Sequence, residues 1–183
     1  IVTSYTSSIG ESGVAVYLPN GYTTSKQDYP VLYLLHGSGD DETGWLTKGR
    51  AKTILDSLIT NELCPPMIMV MPNGYLEQTG KHYPKETRLW MESTFEENFS
   101  RLIAWTESHY RALTDKQHRA IAGLSMGGFH TMHTAALLNQ AFDYVGIFSA
   151  LYVPHTKQPH SERTIEISAL ALSDKPAYNQ TEA

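Results

Sequence analysis

Cysteine is almost missing from this sequence, since Cys64 is the only one in 183 residues. A single cysteine excludes an internal disulfide and a cysteine-based metal cluster, and it leaves the redox compartment undetermined. We expect Cys64 to be a small, buried hydrophobic side chain. Long apolar runs are missing too, because no stretch approaches the roughly 18 to 20 residues that a bilayer span requires. The sequence therefore predicts no partnership with a membrane.

Positive charge is scarce relative to negative charge. The 14 Lys and Arg residues are outnumbered by 19 Asp and Glu residues, which gives a formal net charge of -5. No basic run is present that could follow a phosphate backbone, so we expect no nucleic-acid partner. Internal repeats and low-complexity linkers are also absent, which indicates that residues 1–183 form one domain.

What the chain does have is an alternation of short apolar segments and turn-rich ones. Continuous apolar runs predict buried strands, and apolar residues spaced three and four apart predict amphipathic helices. Strands are predicted at residues 14–18, 31–35, 67–71, 119–123 and 144–148, and helices at 51–59, 95–110 and 127–138. Alternating strands and helices form a parallel sheet that is covered on both faces. The predicted fold class is therefore α/β, a doubly wound, mostly parallel sheet in which 31–35 is a central strand.

One short stretch, GLSMG, carries the clearest chemical signal. It places Ser125 between Gly123 and Gly127, where a predicted strand turns directly into a predicted helix. Such a turn is strained and crowded, so glycines flank it and the serine hydroxyl projects above the carboxyl ends of the strands. We predict that Ser125 is a catalytic nucleophile. The backbone amide of Met126 then becomes the first donor of an oxyanion hole.

A second donor is expected in the loop that follows strand 31–35 and reads HGSGDDETGW. Gly37 and Gly39 allow the backbone to bend close to a substrate, so the amide of Ser38 is the predicted second donor. We expect His36 to hold this loop by hydrogen bonds rather than to act in catalysis. The acids at 40–42 are interpreted as a solvated face, and the sequence predicts neither a metal site nor a cofactor.

Three segments together resemble a known family: YPVLYLLHGSGDDETGW, VMPNG and DKQHRAIAGLSMGG. They are similar to the esterase D-like branch of the α/β-hydrolases, which includes feruloyl and acetylxylan esterases of the carbohydrate esterase type, S-formylglutathione hydrolases, enterochelin esterases and mycobacterial mycolyltransferases. The feruloyl and acetylxylan esterases are the nearest match, and the resemblance extends to about residue 151. It assigns the nucleophile to Ser125 and the oxyanion hole to Met126 and Ser38.

The resemblance implies a serine carboxylic-ester hydrolase that acts through an acyl-enzyme on feruloyl or acetyl esters of plant cell-wall polysaccharide. The expected partner is thus a small-molecule or polysaccharide ester. It also favours a secreted or periplasmic protein, with the cytoplasm left open. Three alternatives remain: a thioesterase like the S-formylglutathione hydrolases, an acyltransferase, and a non-catalytic binding protein of the same fold.

The remaining members of a catalytic triad are not found in the expected order, which is serine, then acid, then histidine. Asp174 has no histidine after it, and the acids in the segment of His155 and His160 come after these histidines instead of before them, so these three are weak candidates. His130 and His133 follow the serine on its own helix and are expected to be packing residues, while Asp143 precedes a strand and belongs at the opposite end of the sheet.

By resemblance, about two more strands would follow residue 183 and carry the acid and the histidine. The chain is then the amino-terminal part of such an enzyme, with 152–183 as an irregular tail. A truncated chain, a nicked protein and a complementing carboxyl-terminal chain all remain possible explanations. An unpaired edge at strand 144–148 also predicts self-association.

Four aromatic residues are candidates for the walls of a substrate pocket. Tyr75, Tyr83 and Trp90 lie in a long connection without periodicity, and Trp45 lies in the loop with the second oxyanion donor. Long connections in compact domains are often functional, and aromatic rings suit an aromatic acyl group or a sugar face. The alternative for each ring is that it pins its own loop to the core.

Overall fold

The computed structural model describes residues 1–8, 10–75 and 94–150. Its strands, in chain order, are β1 (Val2–Ser7), β2 (Gly10–Tyr17), β3 (Val31–Leu35), β4 (Ile68–Pro72), β5 (Arg119–Leu124) and β6 (Tyr144–Phe148). Its helices are α1 (Gly44–Thr47), α2 (Ala51–Thr60), α3 (Thr94–His109) and α4 (Met126–Leu137), with a short 3-10 turn at Lys116–His118. The predicted strands and helices are thereby confirmed, with end points that differ by a few residues.

The strands form one six-stranded sheet in the order β1-β2-β4-β3-β5-β6. Strands β4, β3, β5 and β6 run parallel, whereas β2 is antiparallel to both β1 and β4. The predicted α/β fold with a mostly parallel sheet and an internal β3 is confirmed. Strand β2 departs from the parallel pattern, since it lies between β1 and β4 and is antiparallel to both.

Strand β1 was not among the predicted elements. Its sequence, VTSYTS, is mostly polar, and the strand lies at the edge of the sheet with only Tyr5 and Ser7 buried. An edge strand with two of its six residues buried has no continuous apolar run, so hydrophobicity alone does not reveal it.

Side chains alternate between two hydrophobic clusters, one on each face of the sheet. Val31, Tyr33 and Leu35 of β3 point into the larger cluster, which α3 and α4 cover. The neighbouring residues Leu32 and Leu34 pack into the smaller cluster, which lies under α1 and α2. The sheet is therefore covered by helices on both faces, as the alternation of elements predicts.

Two surface features complete the fold. Cys64 is half-buried at the border of the smaller cluster, so the expectation of a buried side chain was wrong. Strand β6 pairs only with β5 among the described residues, and its Tyr144 and Phe148 are 62% and 57% exposed. Within the described ranges, no helix has the length and apolarity needed to cross a membrane.

Candidate active site

Ser125 lies at the corner between β5 and α4, in a backbone conformation that non-glycine residues seldom adopt. Its φ is 55° and its ψ is -114°, which is a strained combination for an L-residue. Two backbone hydrogen bonds hold this corner: the Ser125 amide donates to the carbonyl of Phe148 at 2.9 Å, and the Ser125 carbonyl accepts the amide of Phe129 at 3.0 Å. The strain is thus imposed by the flanking strand and helix.

The two glycines of the corner are required by close backbone packing. A Cβ atom on Gly123 would lie 2.2 Å from the carbonyl oxygen of Gly127. One on Gly127 would lie 2.4 Å from the carbonyl oxygen of Leu35 and 2.6 Å from that of His36. No side chain fits at either position, and between these two buried glycines the side chain of Ser125 is exposed, as is that of Leu124.

The first predicted amide donor begins a helix. Met126 is the first residue of α4, and the first amides of a helix have no acceptor within it. The side chain of Ser125 makes no capping hydrogen bond to these amides. The hydroxyl and the positive end of the helix dipole therefore lie side by side, with the hydroxyl not engaged in a cap.

The second predicted donor lies in the loop after β3, which reaches the same corner. A Cβ atom on Gly37 would lie 3.7 Å from Cβ of Ser125. The carbonyl of Gly37 accepts hydrogen bonds from Nδ1 of His36 at 2.8 Å and from the amide of Asp40 at 3.3 Å. Because the N–H of a trans peptide points opposite to its carbonyl, the amide of Ser38 is directed away from those two donors. No described residue accepts a hydrogen bond from it.

His36 joins this loop to the loop after β4. The amide of Gly74 donates to Nε2 of His36 at 2.8 Å, which makes Nε2 an acceptor and leaves the proton on Nδ1 for the carbonyl of Gly37. The side chain is buried, and this burial lowers the pKa of His36 below its ordinary value of 6.5. The imidazole is therefore neutral near pH 7 and holds the loop by hydrogen bonds, as expected from the sequence.

Tyr75 contacts the same loop from the β4 side. Its hydroxyl accepts the amide of Gly39 at 2.9 Å and lies 3.2 Å from Oγ of Ser38. Trp45 packs against the smaller hydrophobic cluster, whereas Tyr83 and Trp90 lie outside the described residues. That these four rings wall a substrate pocket stays a prediction.

The three acids of the loop have separate protein partners. Asp40 forms an ion pair with Lys48, Asp41 accepts the amide and the hydroxyl of Thr43, and Glu42 accepts Nδ2 of Asn73 at 2.9 Å; the Thr43 distances are 2.8 and 2.7 Å. Across residues 1–8, 10–75 and 94–150, no group of three or more His, Cys, Asp or Glu side chains is arranged to hold a metal ion.

The histidines of α4 lie in the helix packing, as the sequence predicts. Nδ1 of His130 is 2.7 Å from Oε1 of Glu96 on α3, and both side chains are buried. The ring of His133 stacks on Phe129 with centroids 4.1 Å apart. Glu96 is not among the candidate residues that the sequence indicates. Its contact with His130 was missed because nothing local in the sequence pairs positions on two different helices.

The acids and histidines considered for a triad do not assemble around Ser125 in the described part of the chain. Asp143 donates its amide to the carbonyl of Lys116 and forms an ion pair with that residue at 3.1 Å, at the amino ends of β5 and β6. It therefore lies at the opposite end of the sheet from Ser125, as predicted. Asp174, His155 and His160 lie outside the described residues.

Comparison with known proteins places the chain in a family of esterases. The Esterase family model matches residues 7–181. An endo-1,4-beta-xylanase/feruloyl esterase of Xylanibacter ruminicola is 35% identical over 176 residues, which cover 90% of this chain and 23% of that protein. Esterase Rv1288 of Mycobacterium tuberculosis is 37% identical over 139 residues, which cover 72% of this chain and 27% of the relative.

A similar solved structure is that of the CE1 ferulic acid esterase from the anaerobic fungus Anaeromyces mucronatus. It superposes with a TM-score of 0.73 at 26% identity, covering 83% of this chain and 59% of that one. The same esterase has also been solved in complex with ferulic acid. The chain thus spans about a quarter of the length of its curated relatives, 23% and 27%, and 59% of this structural relative.

Proposed function

Because the chain belongs to the Esterase family of α/β-hydrolases, we propose that Ser125 is the nucleophile of a serine carboxylic-ester hydrolase. The observation that carries this proposal is the strained corner at Ser125, with φ 55° and an exposed side chain beside a helix N-terminus. Strain of this kind persists where function requires it, and a pure binding module has little use for it.

The proposed chemistry is acyl transfer to Ser125 followed by hydrolysis. Oγ of Ser125 attacks the carbonyl carbon of the ester, and the oxygen of that carbonyl becomes an oxyanion. The amides of Met126 and Ser38 donate hydrogen bonds to the oxyanion, the alcohol leaves with a proton, and water then releases the acid from the acyl-enzyme. Removing one donor from such an oxyanion hole costs about 10²- to 10³-fold in kcat.

The proton of Ser125 requires a base. No histidine in the described ranges hydrogen-bonds to its hydroxyl. We therefore propose that the histidine and its acid come from chain outside those ranges, whether in this polypeptide, in a longer gene product or in a complementing chain. If the base is absent from the polypeptide tested, only oxyanion stabilisation and binding remain, at roughly 10³ to 10⁴ over the rate in water.

The proposed substrate class is a feruloyl or acetyl ester of plant cell-wall polysaccharide. Two similarities support it: the 35% identity to a protein named as a xylanase and feruloyl esterase, and the structural likeness to an esterase that has been solved with ferulic acid. An aromatic acyl group is also compatible with the rings proposed to line the site.

Labelling with a fluorophosphonate tests the nucleophile. In the full-length gene product that contains this chain, we expect an adduct on Ser125 that disappears in Ser125→Ala, together with loss of ester hydrolysis. Hydrolysis that survives in Ser125→Ala, or an unlabelled active protein, would refute the assignment. Methyl ferulate, acetylated xylan and S-formylglutathione then separate the substrate classes, and a preference for the thioester would overturn the cell-wall proposal.

A further inference from the structure

Two peptide groups flank Ser38, and their orientation decides where its amide points. The Gly37–Ser38 peptide contains the amide itself, and the Ser38–Gly39 peptide follows it. A loop peptide can flip unless its carbonyl or N–H is held, and Gly37 and Gly39 offer no side chain to prevent this. The oxyanion hole in the proposed function therefore depends on what holds these two peptides.

The first peptide is held through its carbonyl. Nδ1 of His36 and the amide of Asp40 both donate to the carbonyl oxygen of Gly37, at 2.8 and 3.3 Å. A flip of this peptide would break both bonds, because the carbonyl would turn away from the two donors. The His36 bond is itself fixed by the amide of Gly74 at 2.8 Å on the other side of the ring.

The second peptide is held through its N–H. The amide of Gly39 donates to the hydroxyl oxygen of Tyr75 at 2.9 Å, and Gly39 adopts a left-handed φ of 86°. The same hydroxyl lies 3.2 Å from Oγ of Ser38. Tyr75 therefore reaches the backbone just after Ser38, while His36 reaches the backbone just before it.

The backbone of Tyr75 is anchored to the sheet through Asn73. Its amide donates to Oδ1 of Asn73 at 2.9 Å, the amide of Asn73 donates to the carbonyl of Gly13 in β2 at 2.9 Å, and Nδ2 of Asn73 donates to Glu42 at 2.9 Å. The loop after β4 is thus tied to β2 and contacts the loop after β3 at three points, His36, Gly39 and Glu42.

We propose that Tyr75 is a positioning residue for ester hydrolysis: its hydroxyl holds the Ser38–Gly39 peptide so that the amide of Ser38 stays directed at the oxyanion. The proposal rests on the proposed function of Ser125 and adds a residue that touches neither the nucleophile nor the reacting carbon. The hydroxyl of Tyr75 thus contributes to catalysis by holding the loop, whether or not the ring of Tyr75 also contacts substrate.

Tyr75→Phe removes the hydroxyl and keeps the ring, so it separates positioning from any contact made by the ring. In the full-length gene product we expect kcat for methyl ferulate to fall about 10-fold or more, because a loosened oxyanion donor is lost mainly in the transition state. KM is expected to stay within about 3-fold of the parent, because ground-state binding does not use the oxyanion hole. The affinity for a boronic acid that mimics the tetrahedral intermediate should fall in parallel with kcat, whereas the affinity for ferulate should stay unchanged.

Tyr22→Phe is the matched control, because the hydroxyl of Tyr22 likewise accepts a backbone amide, that of Arg111 at 2.9 Å, far from the corner at Ser125. It should leave kcat unchanged. A kcat for Tyr75→Phe equal to that of the Tyr22→Phe control would overturn the proposal, as would an equal fall of boronic acid and ferulate affinity.

The amide of Gly39 gives a second test that does not depend on the variant folding. In the parent protein its hydrogen exchange should be slowed by the bond to Tyr75, and exchange at the rate of a free loop amide would also overturn the proposal. Failure of the proposed function would give a different result, because hydrolysis would then survive in Ser125→Ala, a variant that leaves Tyr75 unchanged.

Discussion

The carboxylate of Glu96 and the imidazole of His130 meet inside the protein, with Oε1 2.7 Å from Nδ1. The contact joins α3 to α4, the helix that begins at the corner of Ser125. Nε2 of His130 is buried and has no hydrogen-bond partner among the described residues. The helix behind the proposed nucleophile is thus joined to α3 by a buried polar pair.

The losses of stability from replacing Glu96 and from replacing His130 should not be additive. Glu96→Leu leaves Nδ1 of His130 buried without its partner, so we expect a loss of about 2–3 kcal/mol in the free energy of unfolding. The double variant Glu96→Leu with His130→Leu should lose clearly less than the sum of the single variants. Urea unfolding measures both. Glu97→Leu, at an exposed position of the same helix, is the control, and strictly additive losses would contradict the coupling.

Gly127, two residues after the proposed nucleophile, should tolerate no side chain. Gly127→Ala places a methyl group 2.4 Å from the carbonyl oxygen of Leu35, so we expect a loss of at least about 2 kcal/mol in the free energy of unfolding. Gly37→Ala is the control for stability, because its methyl group would meet the carbonyl oxygen of Leu124 at 3.4 Å and Cβ of Ser125 at 3.7 Å. Thermal unfolding of the two variants compares them directly, and equal melting temperatures would show that the backbone relaxes around the new methyl group.

Acid should destabilise the protein through His36. Its pKa is lowered in the folded state, mainly by burial, so the unfolded chain binds more protons between the folded pKa and the ordinary value of 6.5. Its contribution to stability is therefore fully present above pH 6.5 and is lost as the pH falls through the folded pKa. Protonation of Nε2 would also break the bond from Gly74.

The measurement is the free energy of unfolding of the parent and of His36→Gln between pH 5 and pH 8, a range set by the titration of histidine near pH 6.5. The stability gap between the two proteins should shrink toward the acid end. The pKa of Asp41 is lowered from 3.8, mainly by the hydroxyl of Thr43, so its own loss of stability falls below this window. A gap that is constant with pH would show that the imidazole does not titrate differently in the two states.

The exposed side of β6 should drive self-association of the chain. Tyr144 and Phe148 are 62% and 57% exposed beside a strand that pairs on one side only in the described part of the chain. Exposed apolar strand edges pair with other chains, and a lysine at the edge opposes such pairing. Sedimentation velocity should show concentration-dependent association that Tyr144→Lys reduces. Leu63→Lys alters a residue that is 73% exposed away from the sheet, and an equal effect of both variants, or a monomer at every concentration, would count against edge pairing.

Much of the fold could be predicted because its central strands are buried. The run VLYLL at β3 gave a strand whose ends coincide with those in the structure, and the run MIMVM lies within one residue of the bounds of β4. Burial on both faces selects continuous apolar residues, and this selection is visible without any tertiary contact. The polar edge strand β1 escaped prediction for the opposite reason, since it buries only alternate residues at the end of the strand.

The sequence by itself determined the corner at Ser125, because a sharp strand-to-helix turn restricts the residues on each side of it to glycine and leaves a local signature. Only the tertiary structure decided which side chains hold the neighbouring loop. The hydroxyl of Tyr75 meets the amide of Gly39 across 36 positions of chain, and the carboxylate of Glu96 meets His130 across 34. Such contacts arise where the sheet brings the ends of separate strands and the faces of separate helices together, and no periodicity along the chain records which of them become neighbours.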